Sequence, residues 1–267
     1  MWNTFRCGIL LTFIAAVTSA LVAADDVGDQ PFTIGSEIVR PWGKIKVGQD
    51  AVEFHVESLP ESRTLTFPRL NNEMKRLYIK DRPSPSDELR FTPLIETWQI
   101  AIDQKSEFSS GVIIFETKQP IRWSDEPVVV SASEDHSVVL PARHAETHGE
   151  LLRYEPQPHK NTVGYWANAK DWMEWRFTVE TVGEFEIEVL QGCGKGHGGS
   201  EVSVSVAEQT LKFVVEDTGH FQNFVPRRIG AVTIDSAGQQ TLQVRAISKA
   251  KGAVCDIRQI RLLPVVK

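Results

Sequence analysis

Hydrophobic and polar positions alternate along most of this chain. In residues 51–57, Val52, Phe54 and Val56 fall on one side, and Glu53, His55 and Glu57 on the other. The same two-residue period recurs in 184–189, 201–206 and 241–245. One apolar and one polar face at this period is the pattern of antiparallel strands lying on a core. The unbroken apolar runs 112–115 and 128–130 predict strands buried on both sides. No stretch of ten residues carries a helical period. Val182-Gly183 and Ala237-Gly238 mark turns. Short strands separated by turn signals predict an all-β fold of sandwiches. A proline-punctuated segment, 120–127, precedes a fresh apolar strand at 137–140. This divides the chain into two consecutive antiparallel β-sandwiches, at 34–131 and 132–267.

Composition narrows the picture. The chain has 267 residues, with 29 Lys and Arg against 35 Asp and Glu, a net charge of −6. That balance argues against a sequence-independent nucleic-acid binder, which needs a basic stripe. A (β/α)₈ barrel alone takes about 200–250 residues, so a barrel with accessory domains does not fit. At the N-terminus, Arg6, an apolar run over 8–17 and Val22-Ala23-Ala24 before Asp25-Asp26 read as a signal peptide over 1–24. A flexible lead-in follows at 25–33. The apolar run is too short to span a bilayer, so the expectation is a secreted or periplasmic protein without a membrane segment after cleavage. Cys7 leaves with the signal. Cys193 and Cys255 remain, either as a disulfide or as two separate buried thiols, and neither belongs to a CxxC motif.

Several segments carry candidate chemistry. In Asp171-Trp172-Met173-Glu174-Trp175-Arg176-Phe177, a strand places Met173, Trp175 and Phe177 in the core and Trp172 on the opposite face. Gly164-Tyr165-Trp166 lies upstream, and Thr218-Gly219-His220-Phe221-Gln222-Asn223-Phe224 forms a second aromatic loop. Rings at one end of a sandwich suit stacking against the C–H faces of sugars, with polar neighbours taking hydroxyls. The glycine-dense stretch 192–200 fails the P-loop spacing and reads as a hairpin loop. His144-Ala145-Glu146-Thr147-His148 gathers two imidazoles and a carboxylate, but on a strand residues four apart lie about 13 Å from each other, too far to share one zinc. No metal or cofactor is expected. No paired carboxylates or Ser/His/Asp set can be defended.

These segments also carry a resemblance. Pro41-Trp42-Gly43-Lys44, the strand through Phe54, and residues 65–78 (LTFPRLNNEMKRLY) resemble the β-sandwich that follows the catalytic barrel of α-L-fucosidases. From about Val138 onward, Gly164-Tyr165-Trp166, Asp171–Trp175, Thr218–Phe221 and Asp256-Ile257-Arg258 resemble a carbohydrate-binding module of the galactose-binding jelly-roll type. The resemblance implies a non-catalytic glycan-binding protein for fucose- or galactose-containing polysaccharide. No residue matches the barrel's nucleophile or acid/base, so none inherits those roles. Tyr165 and Phe221 would form the sugar platform, with Phe221 where such modules usually carry tryptophan. Asp256 stands at the last-strand position of a hydroxyl-binding asparagine. Trp166, Trp172, His220 and Asn223 complete the expected ligand set. Ala142-Arg143 replaces the Ala-Glu pair that holds calcium in such modules, so that ion is not expected. Two alternatives follow: an accessory protein docking on a separate exported glycoside hydrolase through an exposed apolar face, or a residual fucosidase.

Overall fold

The computed structural model describes residues 32–82, 87–124 and 127–265. The expected signal peptide and most of the lead-in lie outside these residues. The described chain is built of β-strands, with one three-residue 3₁₀ turn at Ala142–His144. Among the described residues no helix is long and apolar enough to cross a membrane.

The first sandwich comprises β1 (Glu37–Arg40), β2 (Gly43–Val47), β3 (Ala51–Val56), β4 (Thr64–Pro68), β5 (Met74–Ile79), β6 (Leu89–Pro93), β7 (Thr97–Ile102) and β8 (Gly111–Thr117). One sheet runs β1-β2-β3-β8-β5 and the other β4-β7-β6, all pairs antiparallel. The alternation read from β3 holds: Val52, Phe54 and Val56 are buried while Glu53 and His55 pair with each other on the outside. The two sheets meet through aromatic edges. Phe67 of β4 lies 5.0 Å from Phe54 of β3 and 5.4 Å from Phe115 of β8, both near-perpendicular, and 5.9 Å from Trp98 of β7. Such edge-to-face contacts add to the area these rings bury.

The second sandwich comprises β9 (Val129–Ser131), β10 (Val138–Pro141), β11 (Glu146–His148), β12 (Arg153–Glu155), β13 (Thr162–Gly164), β14 (Trp172–Val179), β15 (Gly183–Cys193), β16 (Glu201–Val206), β17 (Gln209–Val214), β18 (His220–Ile234), β19 (Gly238–Ser248) and β20 (Asp256–Pro264). One sheet runs β12-β13-β20-β15-β18, with β10 on β20; the other runs β11-β14-β19-β16-β17, with β9 parallel to β14. The expected division after residue 131 therefore falls just behind a strand that pairs within the second sandwich. Met173, Trp175 and Phe177 of β14 are fully buried, as the alternation required. The glycine-dense loop is not a hairpin: β15 and β16, which it joins, belong to different sheets.

The segment between β4 and β5 joins the sandwiches. Arg69 Nη2 donates to the Ala145 carbonyl at 2.9 Å, and Arg143 pairs with Glu73 at 3.1 Å. The Met74 N–H donates to the Pro156 carbonyl at 3.0 Å, and the Tyr154 ring lies 6.3 Å from Trp98. Asn72 is fully buried and fixes the segment from behind. Its amide donates to the carbonyls of Gln119 and Pro120 and accepts the Arg122 N–H. Losing these partners leaves buried backbone groups unpaired, at about 1–3 kcal/mol each. Asn72→Ala is therefore expected to lower unfolding stability by at least about 2 kcal/mol in a urea titration, and an unchanged midpoint would contradict this role.

Candidate functional site

Strand β12 starts the site. Its period of two sends Tyr154 into the joint between the sandwiches and places Arg153 and Glu155 on the other side. Arg153 stacks its guanidinium 3.5 Å from the Tyr165 ring centroid, covering one ring face. Tyr165 follows β13 directly, has φ of +59°, and is 44% exposed. A left-handed backbone is uncommon for a bulky residue, and such strain clusters at functional positions.

Phe221 is the second residue of β18 and is half-buried. A Cβ at Gly194 would come within 2.5 Å of its ring, so only glycine there lets the backbone lie against one ring face. His197, from the same glycine-dense loop, packs 5.4 Å from Phe221. Tyr165, Phe221, Trp166, Glu155, Lys160 and Asp256 line one cavity of about 340 Å³. Trp166 is nearly fully buried and donates its indole N–H to the Asp171 carbonyl at 2.9 Å, so it forms the wall behind Tyr165 more than a free platform.

The floor is acidic. Glu155 and Asp256 are both buried, and both crowd Gly164: a Cβ there would collide with Glu155 Oε2 and lie 3.1 Å from Asp256 Oδ1. Lys160 ion-pairs with Glu155. Burial, then the nearby Glu155 charge, pushes the Asp256 carboxyl well above the usual carboxylate range, against the opposing pull of Lys160. The cavity thus offers two rings, an ammonium and a carboxyl that favours its protonated form. These can stack on an apolar face and exchange hydrogen bonds with hydroxyls.

Four expected residues meet here: Tyr165, Trp166, Phe221 and Asp256. Three do not line this cavity. Trp172 lies on the other sheet, where its neighbours on β11 and β19 cover it: His148 stacks at 3.8 Å and Arg245 sits 3.7 Å from the ring centroid. With a partner on each flanking strand, that ring has no free face for a ligand. His220 is exposed, its Nδ1 accepting the Gln222 N–H. Asn223 donates to the Thr218 carbonyl at 2.6 Å and so braces the loop. Sequence reading missed Glu155, Lys160 and Gln222. Glu155 follows a tyrosine in a three-residue strand, and nothing local marks it.

Cys193 and Cys255 are buried free thiols, which corrects the disulfide alternative. Cys193 Sγ faces the carbonyls of Gly194 and Val254 at 3.8 Å each. Burial pushes the Cys193 thiol up to about 11, and Cys255 is also raised. Both are poor nucleophiles at neutral pH. Among the described residues no group of three or more His, Cys, Asp or Glu comes together to hold a metal.

A family described only as a domain of unknown function (DUF5077) matches residues 154–264, within the second sandwich. No curated protein matches the chain. Among solved structures, an α-L-fucosidase from Vibrio sp. strain EJY3 is similar over 88% of this chain and 41% of its own, at 16% identity and a TM-score of 0.35. This chain thus spans about two fifths of that enzyme's length. The C-terminal CBM6 of LamC, a marine laminarinase from Zobellia galactanivorans, is similar over 48% of this chain and 98% of its own, at 22% identity and a TM-score of 0.40. A family 35 carbohydrate binding module from Clostridium thermocellum covers the same shares at 15% identity and a TM-score of 0.39.

The Asp256 environment has a checkable consequence. A carboxyl whose folded pKa is raised costs nothing below its unfolded pKa and destabilises the fold progressively as pH rises above it. Asp256→Asn removes that cost. The variant is expected to melt above the parent at pH 7, with the gain shrinking toward pH 4. An equal shift at both values would show that Asp256 is not held protonated by the fold.

Proposed function

We propose that this protein is an exported, non-catalytic glycan-binding protein, and that it holds a neutral sugar in the Tyr165–Phe221 cavity. The observation that carries the reading is the meeting of those two rings with Asp256 and Glu155 in one open cavity. Two of the segments resembling a carbohydrate-binding module, residues 164–166 and 218–221, supply its rings. A fucose- or galactose-containing polysaccharide is the proposed ligand class. The acidic floor disfavours anionic sugars, since a second carboxylate there would face Glu155 across low dielectric.

Docking of the first sandwich on a separate hydrolase has less support. Its larger sheet carries ion pairs on the outside, including Glu37–Lys44 at 3.0 Å and Glu116–Arg76 at 2.7 Å. Among the described residues of that sandwich, Ile34 and Val39 are the exposed large hydrophobics. Those two side chains do not make a contiguous apolar face.

A glycan array followed by calorimetry tests the binding reading. One stacked ring is worth about 0.5–1.5 kcal/mol beyond its area, so Tyr165→Ala and Phe221→Ala should each weaken binding about two- to twelvefold. Trp172→Ala should leave affinity unchanged. Absence of any glycan ligand, or equal losses at all three positions, would defeat the assignment.

A further inference from the structure

A second cleft lies where the two sandwiches meet. It has a volume of about 460 Å³ and is walled by Arg69 and Thr97 from the first sandwich, Trp123 from the connection, and Glu146, Thr147 and His148 from the second. A smaller lobe of about 110 Å³ shares Arg69 and Glu146 with it and reaches His144. The sequence gathers His144, Glu146 and His148 within five residues, and the Tyr165 cavity uses none of them.

Arg69 is the anomaly. It is 7% exposed, yet no carboxylate lies within ion-pair distance of it among the described residues. Its hydrogen bond goes to the Ala145 carbonyl, and its Nε has no partner. The Tyr154 ring lies 5.9 Å from the guanidinium carbon. Two acids stand on the cleft wall: Glu96, which is exposed, and Glu146, which is turned to Arg176 at 3.3 Å while its charge still acts on Arg69. Thr147 Oγ1 is buried without a partner on the Met173 side of β11. A buried cation without a counter-charge is unfavourable, and a cleft beside it is where such a charge can be supplied. Burial, then the charges of Arg143 and Arg122, hold His144 down to about 4, so its imidazole is neutral at pH 7.

We propose that this cleft is a second ligand site, for a small organic carboxylate, with Arg69 as its counter-charge. The preference is opposite to that of the acid-floored Tyr165 cavity, and the proposal stands independently of the glycan reading there. The ligand's carboxylate would pair with the guanidinium edge that faces the cleft, and Trp123 offers an apolar flank to the rest of the molecule.

The probe is galacturonate, with galactose as the control that differs only in lacking the carboxylate. Titrations use the full chain carrying Tyr165→Ala and Phe221→Ala, which silences the first cavity. Galacturonate should bind at least tenfold more tightly than galactose, and added salt should erode the difference. Arg69→Met should abolish the preference. Glu146→Gln should strengthen galacturonate binding severalfold by removing a competing charge, and this arm stands even if Arg69→Met fails to fold. Equal affinity for the two sugars in the parent would overturn the proposal, leaving Arg69 as a structural tie between the sandwiches. A preference that persists in Arg69→Met, or one indifferent to Glu146→Gln, would overturn it as well.

Discussion

The placement of one short strand governs both sites. Arg153–Glu155 has only three residues, and its pleat must send neighbours to opposite sides. Tyr154 goes inward to Trp98 and Arg69, tying the second sandwich to the first. Arg153 and Glu155 go the other way, one onto the Tyr165 ring and the other into the acidic floor. A one-residue slip of this strand would reverse all three side chains and dismantle the joint and the cavity together. The Tyr154 hydroxyl, bonded to Asn161 Oδ1 at 2.9 Å, also reaches the turn that leads into β13. The position of Tyr165 therefore depends on the same residue that holds the joint.

Charge is distributed with a consistent logic. On outer surfaces, opposite charges pair and are only partly buried, as with Glu116, which the Arg76 guanidinium lowers to about 2. Such pairs contribute little to stability but keep the sheet faces polar. Inside, four acidic or basic side chains are nearly dry: Glu155, Asp171, Asp256 and Arg69. Asp171 accepts the N–H groups of Glu150, Leu151 and Leu152. Glu155 has Lys160. Asp256 lessens the cost through a raised pKa, which shifts it toward its neutral form. Arg69 cannot escape that way, because its guanidinium, even lowered to about 10 by burial, stays charged at neutral pH. Arg69 Nε is left unpartnered at the cleft between the sandwiches, and Trp98 Nε1 is left so in the aromatic core.

Legibility followed the range of the interaction. The strands β3, β14 and β16 could be read from alternation alone, because burial of one face imposes it residue by residue. Tyr165 and Phe221 stood out because aromatic residues beside glycine-rich segments are conspicuous, and both line the cavity. Trp172 looked equivalent in sequence, and cross-strand neighbours 24 residues upstream and 73 downstream decided otherwise. The glycine loop read as a hairpin because turn composition reports local geometry, not the sheet to which the chain returns. Glu155 and Lys160 gave no signal, since each joins the cavity only beside Gly164 and Asp256, brought in by β13 and β20.

The sequence by itself determined the strand content, the two-sandwich plan and which face of each strand is buried, because these follow from solvent exclusion along a two-residue period. It also supplied the rings that a ligand could stack on. Only the tertiary structure decided which rings keep a free face, that two acids share one glycine, and that Arg69 is buried without a counter-ion. Those properties arise from pairings between residues far apart in the chain, and the energy of a buried charge is set by whatever the fold places within a few ångströms of it.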